Sequence, residues 1–445
     1  MGLFDRLFQK SSTTENEPDI RFGRYSDSYK EEDNYEAWHS AVDAFTQEAF
    51  LESFERFFKY LRDEEEDNVR WTRENGQLQF ELLQGSKRIF GTADERQLTA
   101  EAKIAYIADF DVPFSRRLLE KNFDLKYSRF ALDSDQNLCI VFDTSALDGS
   151  PYKLYRALKE LAVNADKQDD LLLDEFKQSL TPIEDKHIEE LPEAEKEIKY
   201  AFILRKIKQV LDAIKQSRLS ATTYPGAISY QLLSLTYSLD YLIKPEGYMM
   251  EALERIHRRY FEKNKLNNVE KNEQMKAELI KLLERPKAAF FKEFYVTKAT
   301  FGITSPENHV RVADFIQMEL HNMDWYQDNR HLLVAKAITD YIVGYCMFNY
   351  ALPKPDRDLF RLYYRITEGE FFEALGFGTP LYDAKSNKFD KKGIRRAIED
   401  IRWIHQKQYP HFRPIVQQLN YQDVTSFVKS YLEMMRELDL SKQLG

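Results

Sequence analysis

Glycine is scarce in this sequence. The chain of 445 residues has 15 glycines, about 3% of its length and roughly half the usual share. Neither G-x-G-x-x-G nor G-x-x-x-x-G-K-[ST], the glycine-rich motifs that bind the phosphates of nucleotides, occurs in it. The shortage of glycine therefore argues against a nucleotide-binding protein of these classes and favours a chain rich in helices.

Cysteine and the common catalytic motifs are also lacking. The two cysteines, Cys139 and Cys346, have neither the spacing of metal ligands nor that of a redox pair. Each lies in an apolar segment, so both are expected to be buried, inert thiols. The motifs G-x-S-x-G and H-E-x-x-H, which mark hydrolases and zinc proteases, do not occur either. We therefore predict no catalytic, cofactor-binding or metal-binding residues and no cofactor.

No segment has the pattern of a signal peptide or of a membrane span. Charged side chains interrupt the first ten positions, which a signal peptide would not tolerate. The most apolar stretch, residues 332–353, contains Lys336 and Asp340, and this favours a buried helix. The sequence therefore predicts a cytoplasmic protein with no integral membrane segment.

The net charge of −10 is unevenly distributed. Residues 1–184 carry 24 Lys and Arg against 38 Asp and Glu, a net charge of −14, whereas the remaining residues have a net charge of +4. The acidic first part disfavours nucleic acid as a partner and leaves open either a basic protein partner or docking against the second part. Two domains with ordinary surfaces would show the same asymmetry. Basic runs such as residues 255–265 are diluted by acids, which favours solvated helix faces over nucleic-acid binding.

Residues 34–180 alternate between helix and strand patterns. Apolar residues at steps of three and four predict a helix over residues 35–62, and strict alternation predicts a strand over residues 77–82. Asn75-Gly76, just before that strand, is typical of a tight hairpin turn. Further patterns predict strands at residues 69–73 and 87–91, a helix at 112–123, a hairpin at 127–142 and a helix from 151 to about 179. The alternation at residues 99–106 favours a fourth strand, with a helix as the alternative. The order helix, antiparallel sheet, helix, hairpin, helix predicts an α+β domain.

The rest of the chain is helical in pattern. Proline and glycine separate successive candidate helices between residues 194 and 439, without a repeat. We predict an irregular all-α domain over residues 196–445, joined to the first domain by a linker at residues 181–195. Residues 1–33 are predicted to be an N-terminal peptide with a polar, acidic tether. The apolar side of the first ten residues fits either a docking peptide or a helix packed on its own domain.

Several stretches of residues 35–179 resemble a known superfamily. The stretch from Val112 to Asn122, with a Leu-Leu pair followed by an asparagine, is similar to the central helix of the class I type III secretion chaperones (the Tir-chaperone group) and their YbjN-like relatives. Residues 129–142 resemble the hairpin that follows it, and Ala165-Asp166 resembles a feature of the closing helix. The secretion chaperones are short, stand-alone proteins, whereas this chain adds a helical domain for which we identify no family.

The resemblance implies a non-enzymatic domain, since small acidic dimers of that superfamily bind an extended segment of a client protein along apolar surfaces. The candidate partner or dimer surface consists of Trp71, Phe80, Phe114, Leu118 and Leu119. Aromatic residues on an amphipathic strand are usually part of a core, so Trp71 and Phe80 fit that role as well. The three helix residues are the better interface candidates, because members of the superfamily often dimerise through this region.

Four histidines follow a carboxylate by three positions: Glu36/His39, Glu184/His187, Glu254/His257 and Asp328/His331. Glu-x-x-His pairs on facing helices build di-metal sites. Local pairing and capping on solvated helices produce the same spacing, and the charged surroundings of Glu254 favour this simpler interpretation, with Asp328 as a helix cap.

The functional prediction is a non-enzymatic, chaperone-like module that binds a protein client or partner, with a homodimer as one arrangement. An enzyme with an active site between helices of the second domain, with or without a metal, is the alternative hypothesis. A purely scaffolding role is the third.

Overall fold

The computed structural model of this chain describes residues 17–441 except residues 29, 31, 65, 110, 177, 184–186 and 218. It confirms the predicted fold class: an α+β domain with an antiparallel sheet is followed by a domain built almost entirely of helices. The helix expected in the first ten residues lies outside the described residues.

The first domain follows the predicted order of elements. They are α1 (Glu32–Thr46), α2 (Phe50–Leu61), β1 (Val69–Glu74), β2 (Gln77–Gln84), β3 (Lys87–Ala93), β4 (Gln97–Ile107), α3 (Val112–Asp124), β5 (Arg129–Leu132), β6 (Asn137–Ser145), α4 (Pro151–Glu175) and β7 (Leu180–Pro182). The strands form one antiparallel sheet in the order β1-β2-β3-β4-β6-β5, and β7 pairs with the end of β4. The short strand β5 therefore lies at one edge of the sheet.

The first hairpin has the tight turn that its sequence predicts. Asn75 and Gly76 have φ angles of 51° and 77°, the positive values that an Asn-Gly turn adopts most easily. The turn sets the register of β2, so that Leu78, Phe80 and Leu82 all point into the core. The alternation of apolar and polar residues over positions 77–82 therefore corresponds to one buried and one solvent-exposed face of β2.

The long helix predicted over residues 35–62 is divided into α1 and α2. Glu48 has a φ angle of 59°, and the backbone N–H of Ala49 donates to the carbonyl of Ala44 at 2.9 Å, which ends α1 as a left-handed cap does. Both segments keep their apolar steps, and neither glycine nor proline marks the break. The prediction of one continuous helix was therefore wrong, because the apolar periodicity does not reveal the turn between α1 and α2.

The turn between β2 and β3 depends on a glycine. Gly85 has a φ angle of 55°, and a Cβ atom at this position would lie 1.9 Å from the Asp166 carboxylate. That carboxylate accepts a hydrogen bond from the backbone N–H of Ser86 at 2.7 Å. Asp166, a residue of the motif quoted above, therefore fixes the turn against α4.

The second domain consists of helices with short strand pairs. The helices are α5 (Glu193–Gln216), α6 (Pro225–Ile243), α7 (Gly247–Phe261), α8 (Asn268–Glu284), α9 (Lys287–Phe291), α10 (His309–Asp328), α11 (Leu332–Asn349), α12 (Lys354–Thr367), α13 (Gly369–Ala374), α14 (Lys391–His405) and α15 (Val424–Arg436). The strand pairs are β8 (Glu189–Glu190) with β9 (Tyr295–Val296), β10 (Ser305–Pro306) with β11 (Tyr350–Ala351), and β12 (Tyr382–Asp383) with β13 (Lys388–Phe389). Helices α6 and α11 pack against each other at the centre and are buried over most of their length.

The most apolar stretch of the sequence forms α11, a buried helix. Its two charged side chains pair with each other, since Lys336 Nζ lies 2.5 Å from Asp340 Oδ1. The hydroxyl of Tyr363 also donates to Asp340 at 2.7 Å. Within the described ranges, no helix has both the length and the apolar character that crossing a membrane requires.

Residues 17–28, part of the predicted tether, lie between the two domains. The ring of Phe22 packs against those of Tyr241 and Phe372, with centroids 6.1 and 5.2 Å apart. The backbone N–H of Gly23 donates to the carbonyl of Tyr241 at 2.8 Å. The predicted linker is likewise in contact with its surroundings: β7 extends into it, β8 forms within it and α5 begins before its end. Both segments were predicted to be a tether or a linker because they are polar. Each is instead held in place by residues that are distant from it in sequence.

A segment of the second domain completes the core of the first. We call residues 297–301 the inserted segment. Phe301 is 1% exposed and meets the ring of Tyr155 with centroids 5.6 Å apart. Its backbone N–H donates to the side-chain oxygen of Gln84 at 2.9 Å, and the Thr300 hydroxyl donates to the carbonyl of Leu83 at 2.8 Å. The two domains are thus joined through a shared core.

Replacing Phe301 should destabilise the whole chain. We expect Phe301→Ala to lower the free energy of unfolding by about 3–5 kcal/mol, because it leaves a cavity in the shared core. Phe123→Ala is the matched control: its ring is 91% exposed, so we expect a change within about 0.5 kcal/mol. Chemical denaturation followed by tryptophan fluorescence would measure both values. Equal effects of the two substitutions would contradict a core role for Phe301.

Candidate functional site

The structure separates the five residues of the predicted partner surface. Phe80, Phe114 and Leu118 are 3%, 0% and 8% exposed and lie in the core of the first domain. Trp71 is half-buried and packs against that core, and Leu119 is 70% exposed. Phe80 therefore has the core role given above as its alternative. The expectation for Phe114 and Leu118 is corrected, because the fold itself covers their side chains.

The outward face of α3 carries three exposed apolar side chains. Val112, Leu119 and Phe123 are 80%, 70% and 91% exposed. Spacings of seven and four residues place them in one row along the helix. We call these three residues the α3 stripe. The sequence prediction included Leu119 and missed the other two, although their helical spacing from Leu119 was a signal that could have revealed them.

Hydrogen bonds fix both ends of α3. At its start, Asp111 accepts from the backbone N–H of Phe114 at 2.8 Å, an N-cap that satisfies a free donor of the first turn. Near its end, the side-chain oxygen of Asn122 accepts from the backbone N–H of Phe130 in β5 at 2.7 Å. Asn122 is the asparagine of the quoted motif, and it ties the helix to the edge strand.

The chain that leaves α3 is held by Glu160 of α4. Its carboxylate accepts hydrogen bonds from the backbone N–H groups of Lys126, Tyr127 and Ser128, each at 2.9 Å. Burial raises the pKa of Glu160, but these bonds outweigh burial and keep the pKa below its usual value. The α3 stripe is therefore presented on a helix whose position is fixed before any partner binds.

A cleft of about 2480 Å³ lies between the two domains. Arg24, from residues 17–28, binds both carboxylate oxygens of Asp240 at 2.7 and 2.9 Å and one oxygen of Glu254 at 3.1 Å. Its guanidinium also lies 3.9 Å from the centre of the Phe348 ring. Lys167 of α4 reaches Glu254 from the first domain at 2.8 Å. This Arg24 network joins the N-terminal segment to both domains.

His257 lies beside the Arg24 network. Its Nδ1 atom is 2.8 Å from the hydroxyl of Tyr237, with which it shares a hydrogen bond. Burial lowers the pKa of His257 to about 4, and the positive charge of Arg24 adds to this effect. The imidazole is therefore neutral at neutral pH.

The predicted His–carboxylate pairs have separate roles. Glu254 is largely buried in ion pairs with Arg24 and Lys167, which corrects the expectation that it faces solvent. Asp328 is the last residue of α10, so it does not cap the start of a helix as expected. Glu184 lies outside the described residues. In the part of the chain that the structure describes, no group of three or more His, Cys, Asp and Glu side chains is placed to hold a metal ion.

A histidine and a buried carboxylate that are distant in sequence meet in the second domain. His309 Nδ1 lies 2.9 Å from Asp356, which is fully buried. Short-range spacing cannot reveal such a pair. Cys139 and Cys346 are buried as expected, and burial raises the pKa of the Cys139 thiol to about 11 and that of the Cys346 thiol well above its usual value. Both thiols are therefore protonated and unreactive at neutral pH.

The chain matches no protein-family model and no curated protein sequence. The protein is therefore classified by its architecture alone: an α+β domain and a helical domain that are joined through the core of the first. Its function is therefore inferred from the α3 stripe and from the contacts that hold the stripe in place.

Removing the positive charge of Arg24 should destabilise the protein. We expect Arg24→Met to lower the free energy of unfolding by about 3–5 kcal/mol, because Asp240 is left buried without its cation. Arg129→Met breaks the exposed pair with Asp143 and should cost at most about 1 kcal/mol. Thermal and urea denaturation would measure both variants. A similar cost for the two would contradict the role of the Arg24 network.

His257 should make the folded state sensitive to acid. An unfolded histidine has a pKa of about 6.5, whereas the folded value is about 4. As the pH falls through this window, the unfolded chain binds a proton that the folded chain does not, so the free energy of unfolding decreases. We expect the wild type to lose about 1–2 kcal/mol more than His257→Gln between pH 7 and pH 4.5, since partial exposure of the ring weakens the effect. Urea titrations across this range would test it, and parallel profiles would contradict it.

Proposed function

We propose that this protein is a non-enzymatic, chaperone-like module that holds a partner polypeptide on the α3 stripe. The observation that carries the proposal is the exposure of Val112, Leu119 and Phe123 in one row on an outer helix. A row of large apolar side chains in water is typical of a surface that binds another protein. An aromatic side chain such as Phe123 is a common anchor of such surfaces.

The fixed position of α3 supports this proposal. Asp111, Asn122 and Glu160 hold the helix and the chain that follows it. A partner therefore meets a surface that loses little conformational freedom on binding, and this favours affinity. By contrast, Phe114 and Leu118 on the opposite face serve to attach α3 to its own domain.

The size and charge of this region favour a segment of another protein as the occupant. The stripe covers eleven residue steps of helix, about 16 Å. Three side chains contribute much less than the total of about 1,600 Å² that a stable protein interface buries. They suit one anchoring segment better than a second copy of the chain. The net charge of −14 over residues 1–184 would attract a partner whose apolar anchor is flanked by basic residues.

A photo-reactive amino acid at position 123 would test the proposal. Expressed in cells and illuminated, the full chain should form a discrete cross-linked product with another polypeptide. The same amino acid at Leu333, 70% exposed in the second domain, is the matched control and should give no such product.

Leu119→Ser, carrying the probe at position 123, should reduce the cross-linked product several-fold without changing the melting temperature, because the side chain of Leu119 is 70% exposed. A product with twice the mass of the chain would show that the α3 stripe binds a second copy of the chain, and it would contradict a partner of another kind. Equal products at positions 123 and 333, or none at either, would contradict the proposal.

A further inference from the structure

A second cavity lies between the domains, on the other side of α3 from the stripe. Its volume is about 630 Å³, within the range of pockets that hold small molecules. Helices α3 and α4 of the first domain and α7 of the second supply its walls. The lining side chains that argue for a ligand are Arg117, Lys121, Lys167, Gln168, Arg255 and Arg258.

Cations outnumber carboxylates in the described lining of this cavity. Five Lys and Arg side chains face it together with two glutamates. One of these, Glu251, is shared by Lys167 at 2.6 Å, Arg258 at 2.9 Å and Arg255 at 3.7 Å. Lys167 and Arg255 also reach Glu254 at 2.8 Å and Glu278 at 3.1 Å, but Arg24 shares Glu254, and Arg259 and Lys281 share Glu278. Arg117 pairs with Glu175, the second glutamate of the lining, at 3.3 Å. The cations that line the cavity therefore still exceed the carboxylates available to them.

Lys121 contributes most clearly to this excess. Its ammonium forms no ion pair with any described residue. Partial burial lowers the pKa of Lys121, and the positive charges of Arg117 and Lys167 lower it further. An anion in the cavity would relieve this repulsion.

Three further residues of the lining, Gln168, Tyr248 and Leu171, are typical of a binding pocket and not of a solvated surface. Gln168 is 3% exposed, and its side-chain oxygen has no hydrogen-bond partner among the described residues. Buried polar atoms are rarely left without a partner. Tyr248 and Leu171 add aromatic and apolar surface beside the cations.

From this arrangement we infer that the cavity binds a phosphate-bearing small molecule. Arginine forks at Arg117, Arg255 and Arg258 match the geometry of phosphate oxygens, and Lys121 supplies an unpaired charge. Tyr248 and Leu171 would contact the organic part of the molecule, and Gln168 would accept a hydrogen bond from one of its hydroxyl or amino groups. The ligand would contact both domains at once. This inference does not depend on the proposed function, since the α3 stripe lies on the opposite side of the helix.

Isothermal titration of the full chain with inorganic pyrophosphate would test this inference. We expect saturable binding at one site. Lys121→Gln and Arg258→Gln should each weaken the affinity by about tenfold or more, because each removes a charge-assisted hydrogen bond. Lys121 has no ion-pair partner among the residues that the structure describes, and Glu251 keeps its contacts with Lys167 and Arg255 when Arg258 is replaced. Both variants should therefore keep the wild-type melting temperature in the absence of pyrophosphate.

Arg129→Gln is the matched control, since it makes the same change of charge on β5, at the surface of the same domain. It should leave the affinity for pyrophosphate unchanged. Citrate at the same ionic strength should bind more weakly than pyrophosphate. No saturable binding, equal weakening by Arg129→Gln, or equal affinity for citrate would each overturn the inference of a phosphate site.

Discussion

The insertion of residues 297–301 into the first domain is the contact on which the arrangement of the molecule depends. Phe301 supplies a ring to a core that the α+β domain does not complete from its own sequence. The side-chain oxygen of Gln84 then accepts hydrogen bonds from the backbone N–H groups of Thr300 and Phe301. Because buried backbone groups are costly to leave unpaired, these bonds fix the inserted segment in one position. The cleft, the Arg24 network and the cation-rich cavity all exist because the domains meet in this one way.

The elements of secondary structure could be predicted from the sequence because their signals are local. The helical pattern of α3 and the alternation of β2 depend on neighbouring residues, and both elements formed close to their predicted bounds. The docking of residues 17–28 could not be predicted in the same way. Arg24 binds Asp240, 216 positions away, and a polar composition gives no indication of a partner so distant. The break at Glu48 was missed for a related reason, since packing overrides a continuous apolar period.

Helix α3 shows why the candidate site was predicted only in part. Leu118 and Leu119 are adjacent, yet a helix turns by about 100° between neighbours, so one enters the core and the other faces water. Apolar residues on α3 thus belong to two faces with different roles. The prediction from the family resemblance combined Phe114, Leu118 and Leu119 into one surface. Exposure separates them, and it also adds Val112 and Phe123, which the resemblance to secretion chaperones did not mark.

Net charge is an equally poor guide to the local field. The first domain belongs to the acidic part of the chain, yet it places Arg117, Lys121 and Lys167 around one cavity. The second domain adds Arg255 and Arg258 from a stretch whose acids suggested an ordinary solvated face. A sum over the sequence averages charges that the fold separates onto different surfaces. The field inside the cavity depends instead on which helices face one another, and the shared core determines that.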